Sequence, residues 1–386
     1  MKLKKIILLG STGSIGRQTL DIVRQYPDSF AITGLVCNSD LKNLYKQVQE
    51  FKPQAVGFAL AEARLDPKSF APARVYQGQE AILRLIQETE ADLVLNAIGG
   101  SSGLLPSFTA ITSNRNLALA NKESIVMAGS LLMSEVKRKQ TALIPVDSEH
   151  SAIFQLLNGN PGCTKERLRE IILTASGGPF RTWPLSHLKK ASLKDALRHP
   201  NWQMGKKITI DSATMANKVL EVMEAHYLFN LPFEMIKIII HPQSYVHSLV
   251  RTKDGSLYAQ LSKPDMRLPI LNALTYPNLV AADFANLDLQ NQVLEFYPVE
   301  LDRYPVLKLG LEAAAAGGNY PIVFNAANEI AVEAFLKEKI SFIQISSLIA
   351  KTMEDDYPSL PSSLDNVILI DKAARQAALK HLQKMR

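Results

Sequence analysis

Two acidic residues stand directly after an apolar run that predicts a buried strand. The run covers 142–146, and Asp147 and Glu149 follow it two residues apart, so in an extended segment their side chains point to the same side. Converging carboxylates repel each other unless a proton or a cation neutralises them, and oxygen ligands without a nearby Cys–His set favour Mg²⁺ or Mn²⁺. Asp147 is equally well placed to cap a helix that begins near Ser151. The spacing leaves both interpretations open.

A second polar cluster lies on a predicted helix over 213–229. Its members share one face at positions i, i+1, i+4 and i+7: Asn217, Lys218, Glu221 and Glu224. Such a row is most often a solvated helix face. The preceding segment 211–214 reads Asp-Ser-Ala-Thr and would place hydroxyl groups at the helix N-terminus, where a phosphate is favoured. That segment favours a functional interpretation of the cluster.

Two further segments predict anion binding and closure of a site. The sequence 176–178, Ser-Gly-Gly, is typical of a turn that holds an anion, and 199–205 predicts a mobile loop. In that loop His199 would bind a substrate anion and Trp202 would exclude water, as a closing lid does. A surface turn with a partly packed tryptophan is the alternative.

A glycine-rich segment connects the first predicted strand, Lys5–Leu9, to the first predicted helix, Ser14–Tyr26. Its glycines are Gly10, Gly13 and Gly16, a spacing looser than G-x-G-x-x-G. Glycines allow a pyrophosphate to approach the backbone closely, and the N–H groups of the helix N-terminus attract its charge. The order of strand, turn and helix therefore predicts nucleotide binding. A tight turn without a ligand is the alternative.

The end of the second predicted strand bears on the choice between NADH and NADPH. It reads Val-Cys-Asn-Ser-Asp over 36–40, where NAD-binding folds usually place an acidic residue for the ribose. Asn38 and Ser39 could donate to a 2′-phosphate, with Lys42 nearby, whereas Asp40 could cap the next helix. These residues do not decide the cofactor.

The elements that must position these groups fall into three parts. Residues 1–150 alternate apolar strands with helices, which predicts an N-terminal doubly wound Rossmann domain with a parallel sheet. Residues 151–275 predict a central α/β catalytic domain with a mixed or antiparallel sheet, including a short strand over 207–210. Residues 276–300 predict a linker, and residues 301–386 predict a C-terminal four-helix bundle.

The composition excludes several classes of protein. The chain has 386 residues, 47% of them hydrophobic and 21% charged, which is typical of a soluble globular protein and not of a disordered one. A net charge of +6 without a dense Lys/Arg block suits a phosphorylated substrate and predicts no nucleic-acid partner. Two cysteines exclude a disulfide scaffold or a cysteine-rich zinc site and fit a reducing compartment. With no run of about 20 apolar residues, we expect a cytoplasmic protein without a membrane partner.

The motifs together resemble the 1-deoxy-D-xylulose 5-phosphate reductoisomerase family over nearly the whole chain. The blocks that carry the resemblance are Gly10–Gly16, Asn121–Ser124, Pro145–His150, Ser176–Phe180, His199–Gly205, Asp211–Glu224, His241–Ser248 and Asn325–Glu329. The resemblance implies NADPH-dependent, metal-dependent isomerisation and reduction of 1-deoxy-D-xylulose 5-phosphate to 2-C-methyl-D-erythritol 4-phosphate in non-mevalonate isoprenoid biosynthesis. It also implies a homodimer whose substrate is a small phosphorylated sugar.

The resemblance assigns roles to matching residues. It implies Mg²⁺ or Mn²⁺ ligands at Asp147, Glu149 and Glu221, and catalytic roles for Lys122, Glu149 and Glu221. Substrate contacts are implied for Lys122, Ser148, Glu149, Ser176, His199, Trp202, Ser212, Asn217, Lys218 and Glu221. NADPH contacts are implied for Ser11, Thr12, Gly13, Ser14, Ile15, Asn38, Asn121, Lys122, Glu123 and Gly205. The family often has Lys or Arg near the position of Asn38 and Ser39. In this chain, the first basic residue after that position is Lys42.

Other functions leave these features unexplained. A semialdehyde dehydrogenase needs a nucleophilic cysteine, and neither Cys37 nor Cys163 lies in a segment typical of a site. A short-chain dehydrogenase needs Tyr-x-x-x-Lys, which occurs only at 304–308, beyond the predicted linker. A non-catalytic NADP(H)-sensing protein is the alternative from another class, and it would leave the three carboxylates and Lys122 without a role.

Overall fold

The structure, a computed structural model, describes residues 3–60, 67–202, 204–357 and 361–385. Its contacts divide the chain into two compact units. The first comprises Met1–Ser124, Leu132–Ser151 and Asp265–Ala285, and the second comprises Ile125–Leu131, Ala152–Pro264 and Asn286–Arg386. Among the described residues, no helix is both long enough and apolar enough to cross a membrane.

A seven-stranded sheet forms the centre of the first unit. Its strands are β1 (Lys4–Leu9), β2 (Phe30–Cys37), β3 (Ala55–Phe58), β4 (Arg74–Gln77), β5 (Leu93–Asn96), β6 (Asn116–Leu119) and β7 (Leu143–Pro145). The order is β4-β3-β2-β1-β5-β6-β7, and neighbouring strands run parallel. Because the order reverses between β1 and β5, the carboxyl ends of these two strands form the crevice where such sheets bind ligands. The predicted doubly wound fold is confirmed.

Helices follow most strands of this sheet. They are α1 (Ser14–Gln25), α2 (Leu41–Phe51), α3 (Gln79–Glu88), α4 (Leu104–Thr112), α5 (Lys122–Lys139) and α6 (Ser148–Gly159). A later helix, α10 (Arg267–Thr275), belongs to the first unit, whereas residues 125–131 of α5 and 152–159 of α6 belong to the second. There the Lys4 ammonium group donates to the carbonyl oxygens of Leu274 at 2.7 Å and Tyr276 at 3.1 Å. Residues 265–285, which we expected in the catalytic domain and the linker, lie in the first unit, and the predicted domain boundaries stay a prediction.

The second unit contains a mixed sheet and the remaining helices. Its strands are β8 (Leu168–Ala175), β9 (Ile236–Ile240), β10 (Val246–Thr252) and β11 (Leu257–Leu261), ordered β11-β10-β8-β9. Only the β8–β9 pair among these is parallel. The helices are α7 (Leu193–Ala196), α8 (Lys206–Thr214), α9 (Ala216–Phe229), α11 (Pro305–Ala316), α12 (Tyr320–Leu336), α13 (Gln344–Met353) and α14 (Leu364–Lys384). The predicted C-terminal helical region is confirmed.

Helix α9 lies inside the second unit, not on its surface. Val219 and Met223 belong to the apolar cluster that includes the C-terminal helices, whereas Val222 and Phe229 pack in the cluster beside β8 and β9. A helix with apolar contacts on opposite sides is buried around most of its circumference. The polar residues of α9 therefore sit in the interior, and their partners must satisfy them there.

Three local predictions were wrong. The segment 207–210, expected as a strand, lies in α8, where Thr209 and Ile210 are buried; packing against the unit overrides the β preference of that short segment. The helix expected over 213–229 is interrupted at Met215, whose φ of +63° ends α8 before α9 begins. Glu149, expected in an extended segment, lies in the first turn of α6.

Candidate active site

The glycine-rich turn after β1 has the backbone that its sequence predicts. Gly10 has a φ of +80°, and a Cβ built on it would lie 2.6 Å from the carbonyl oxygen of Ala97. A Cβ on Gly16 would lie 2.3 Å from the carbonyl oxygen of Gly10. Only glycine fits either position, because the turn brings β1, the segment after β5 and the start of α1 into direct contact.

The start of α1 leaves an anion-binding surface. No side chain forms a capping hydrogen bond at Gly13, and the first turn of α1 contains no acidic residue. Ser11 is fully buried, and its hydroxyl has no hydrogen-bond partner within the described part of the chain. A buried polar group without a partner is costly, so a polar ligand atom at this turn would satisfy it. These features fit a pyrophosphate at the helix N-terminus.

At the end of β2, one residue caps the following helix α2 and two other residues are exposed. The Asp40 carboxylate accepts the Asn43 backbone N–H at 3.2 Å and the Asn43 side-chain amide at 2.7 Å, so Asp40 caps α2. Asn38 and Ser39 are exposed. Of the two roles considered for Asp40, the structure supports the cap. Asn38 and Ser39 are thus the exposed polar residues directly at this strand end, and Lys42 on α2 is exposed as well.

The start of α5 is a buried polar cluster. Asn121 caps the helix by accepting the Ser124 backbone N–H at 3.1 Å, and its amide donates to Gly100 O at 2.8 Å and to a Glu123 carboxylate oxygen at 3.1 Å. Lys122 lies between these two residues, is 6% exposed, and forms an ion pair with Asp147. The cap fixes the direction in which α5 presents Lys122.

The acidic segment after β7 begins α6. Asp147 precedes the helix directly, the position of a capping residue, while its carboxylate pairs with Lys122. The Ser148 hydroxyl donates to Glu149 Oε2 at 2.6 Å. In the first unit, the structure therefore brings together Lys122 with Asp147 and Ser148 with Glu149. Two carboxylates within three residues at a helix N-terminus create a concentrated negative charge that a cation can balance.

In the second unit, α9 presents a buried carboxylate with two donors. Glu221 is fully buried, and both the Lys218 ammonium group and the Asn217 amide donate to its carboxylate. Glu224, one turn further along the helix, is also fully buried. The polar row on α9 is therefore not a solvated face. Its carboxylates are held in the interior, where an ionised group requires compensation by positive charge.

Three side chains of the second unit meet at one point. The Nε2 atom of His199 lies 3.1 Å from the Ser176 hydroxyl and 3.1 Å from the Ser212 hydroxyl. Its Nδ1 atom accepts the backbone N–H groups of Asn201 at 3.2 Å and Trp202 at 2.9 Å. Because Nδ1 acts as an acceptor, the proton of the neutral ring is on Nε2. An imidazole N–H and two hydroxyl groups thus converge, an arrangement that suits an anion's oxygens.

Ser212 lies at a different end of its helix than the sequence predicted. The sequence analysis placed 211–214 at a helix N-terminus, but these residues form the last turn of α8. The helix-dipole argument for a phosphate was therefore wrong at Ser212. The prediction that Ser212 binds an anion therefore depends on its contact with His199.

The loop after His199 is tied to β10 and its neighbours. The Trp202 ring lies 6.2 Å from the His247 ring in an edge-on arrangement. Asn201, which the sequence analysis did not select, donates to the Ser244 hydroxyl at 2.9 Å and to Pro242 O. Only its position inside the loop could have indicated this anchoring role. Gly205 caps α8, and Gln203 of the predicted loop lies outside the described residues.

The two cysteines are not nucleophiles. Both are buried and unpaired, and burial raises the pKa of the Cys37 thiol to about 12 and also raises that of Cys163. A thiolate is the reactive form of cysteine, so neither residue supplies one near neutral pH. A mechanism through a covalent cysteine adduct is excluded.

We expect the His199 imidazole to remain neutral from about pH 8 down to about pH 5. Burial lowers its pKa from 6.5 to about 4, whereas the unfolded chain takes up this proton below the ordinary value. Because of this site, the folded state therefore loses stability progressively as the pH falls from about 6.5 to about 4. Ring ¹⁵N shifts measured with labelled histidine, with His199→Asn identifying the signal, would test this. A doubly protonated ring near neutral pH in the absence of a bound anion would contradict the prediction.

Comparison with known proteins finds similarity of this chain to one family. Residues 6–129 match the profile described as 1-deoxy-D-xylulose 5-phosphate reductoisomerase, residues 143–229 match that of its C-terminal domain, and residues 261–377 match that of the DXP reductoisomerase C-terminal domain. A 1-deoxy-D-xylulose 5-phosphate reductoisomerase of Crocosphaera subtropica is 46% identical, over 98% of this chain and 96% of its own length. One from Acidithiobacillus ferrooxidans is 44% identical, over 98% and 97%.

Solved structures agree. The reductoisomerase from Zymomonas mobilis in complex with NADPH has a TM-score of 0.88 at 38% identity, covering 98% of this chain and 99% of that one. A DOX-P reductoisomerase in complex with NADPH, fosmidomycin and magnesium has a TM-score of 0.89 at 37% identity, covering 99% of both chains. The similarity extends over both units of the chain.

Proposed function

Since the chain belongs to the 1-deoxy-D-xylulose 5-phosphate reductoisomerase family, we propose how its own residues perform the family's reaction. The resemblance found in the sequence is confirmed. The chain is an NADPH-dependent, magnesium-binding oxidoreductase that isomerises and reduces 1-deoxy-D-xylulose 5-phosphate to 2-C-methyl-D-erythritol 4-phosphate. The non-catalytic sensing protein considered as an alternative does not fit, because the relatives over the full chain are enzymes.

The first part of the proposal concerns NADPH. The segment Ser11–Ile15 would hold the pyrophosphate at the start of α1, with the unpartnered Ser11 hydroxyl as one donor. Asn38 would contact the adenosine ribose, and Asn121, Lys122, Glu123 and Gly205 would line the nicotinamide end. NADPH supplies a hydride. The observation that carries this assignment is the pair of glycines whose Cβ atoms would collide with the turn.

The second part concerns the metal ion. Asp147, Glu149 and Glu221 would hold it, and three carboxylates are the oxygen donor set that Mg²⁺ and Mn²⁺ prefer. Such an ion supplies Lewis-acid polarisation of the substrate's keto and hydroxyl oxygens. The ammonium groups of Lys122 and Lys218 pair with two of the carboxylates, so a bound metal ion would share those two carboxylates with the lysines. We propose that Mn²⁺ also serves.

The third part concerns the substrate. His199, Ser176 and Ser212 would donate to its phosphate, with Asn217 and Lys218 of α9 supplying further donors and positive charge. The convergence of the first three groups within 3.1 Å carries this assignment. A phosphate far from the reacting carbons contributes mainly by orienting them. Trp202 would exclude water, and Lys122, Ser148 and Glu149 would contact the reacting end.

The assembly and compartment complete the proposal. We propose a homodimer, supported by the family resemblance. We also propose a cytoplasmic location, supported by two buried cysteines that form no disulfide with each other.

An assay that varies cofactor and metal together tests the function. With 1-deoxy-D-xylulose 5-phosphate, we expect NADPH oxidation to require Mg²⁺ or Mn²⁺, to stop with EDTA, and to be at least about tenfold less efficient with NADH. The product is identified by mass and NMR as 2-C-methyl-D-erythritol 4-phosphate. Equal rates with NADH would overturn the cofactor assignment at Asn38, and turnover in EDTA would overturn the metal site.

A further inference from the structure

A buried polar side chain on α12 donates a hydrogen bond to another helix. Asn328 is fully buried, and its neighbours on the helix include Phe324, Ala327 and Ala331, which are buried in the same apolar cluster. A buried amide costs free energy unless it forms hydrogen bonds. The Nδ2 group of Asn328 donates to Asp211 Oδ1 at 2.8 Å. The hydrogen bond to Asp211 therefore compensates the burial of this amide.

Asp211 is a buried carboxylate held from two sides. It is 1% exposed, and its second oxygen pairs with the Lys207 ammonium group at 2.8 Å. Lys207 belongs to α8, as Asp211 does, so that ion pair cannot fix the position of α8 itself. The hydrogen bond from Asn328 comes from a different helix. It therefore connects the last turn of α8 to the C-terminal helical region.

The residue after Asp211 is Ser212, whose hydroxyl lies 3.1 Å from His199 Nε2. We propose that Asn328 is a positioning residue: through Asp211 it fixes the last turn of α8, so that the Ser212 hydroxyl meets His199 at the point where the substrate phosphate binds. This inference rests on the proposed phosphate site. Asn328 touches neither substrate nor cofactor in this account. Its effect is expected on substrate affinity and not on NADPH affinity.

The same helix contains a matched control. Asn325 is also fully buried, but its amide donates at 3.3 Å to Glu329 on α12 itself. Replacing either asparagine by alanine removes the same atoms from the same helix. Only the change at Asn328 removes a link to α8. A general loss of packing in α12 would affect both variants alike.

Steady-state kinetics of the full-length enzyme with Mg²⁺ would test the proposal. We expect Asn328→Ala to raise KM for the substrate roughly tenfold, as expected for losing a hydrogen bond to a charged group. The inhibition constant of inorganic phosphate, competing with the substrate, should rise by a similar factor. KM for NADPH should stay unchanged in Asn328→Ala. In Asn325→Ala, none of these three constants should change. If Asn328→Ala does not fold, Asn328→Ser replaces it, since it retains a polar group and should act in the same direction.

A double variant separates positioning from general damage. If Asn328 acts through Ser212, then Asn328→Ala should add little to the effect of Ser212→Ala on substrate KM, because groups that act as a unit are not additive. Additive effects, or an equal rise in KM for NADPH, would overturn the positioning role. If Ser212→Ala itself leaves substrate KM unchanged, the proposed phosphate site is wrong. If only Ser212→Ala acts, the phosphate site stands and the inference about Asn328 fails.

Discussion

Replacing Glu149 by Gln is expected to lower kcat for NADPH oxidation with Mg²⁺ about a thousandfold, the scale of losing a preorganised electrostatic contact. Glutamine keeps the shape of the side chain but removes its negative charge and one of its acceptor oxygens. Glu149 lies in the first turn of α6 beside Ser148, whose hydroxyl donates to it, so the amide can occupy the same position. The loss is thus a loss of metal binding and not of structure.

Two measurements distinguish a loss of metal binding from a loss of structure. Glu135→Gln is the matched control, because Glu135 pairs with the exposed Arg138 at the far end of α5, and we expect its kcat to remain within about twofold of the unchanged enzyme. Mg²⁺ should raise the unfolding temperature of the unchanged protein and of the control, and much less that of Glu149→Gln. Full activity of Glu149→Gln at low Mg²⁺ would remove Glu149 from the proposed metal ligands.

The N-terminal architecture could be predicted because its signals are local. Apolar strands, the helices between them and the glycines at positions 10, 13 and 16 follow from residues close together in the sequence. The extra strand β4 was not predicted, since only one of its four residues is buried and it presents no apolar run. Neither helix α10 nor its place in the first unit was predicted, because the hydrogen bonds from Lys4 connect residues some 270 positions apart. Such distant pairing leaves no trace in local periodicity.

The candidate site was predictable in its residues more than in its geometry. The polar row on α9 was identified from its spacing, but spacing cannot tell a buried polar face from a solvated one; only the apolar clusters on both sides of α9 decide it. The break at Met215 likewise follows from its left-handed backbone, which its residue type does not predict. Because that break ends α8, Ser212 lies in the last turn of α8, where its hydroxyl contacts His199.

Replacing Lys122 by Met tests the first unit's part of the site. Its ammonium group pairs with Asp147, and the two side chains are 7% and 13% exposed. Without that positive charge the Asp147 carboxylate is buried beside an apolar chain, and we expect the metal-free protein to lose roughly 3–5 kcal/mol of stability. Urea unfolding in EDTA measures this loss. Lys137→Met, an exposed change in the last turn of the same helix, should leave stability within about 0.5 kcal/mol.

The same variant distinguishes a structural lysine from a catalytic one. If Lys122 only balanced Asp147, a bound Mg²⁺ could take over that charge, and saturating Mg²⁺ would restore both stability and turnover. We expect Mg²⁺ to restore much of the stability, since it binds the folded state only, but kcat to stay roughly a hundredfold to a thousandfold lower. That residual loss measures what the ammonium group contributes at the reacting end of the substrate. Normal kcat at saturating Mg²⁺ would reduce Lys122 to a counterion of Asp147 and remove it from the groups proposed to act at the reacting end of the substrate.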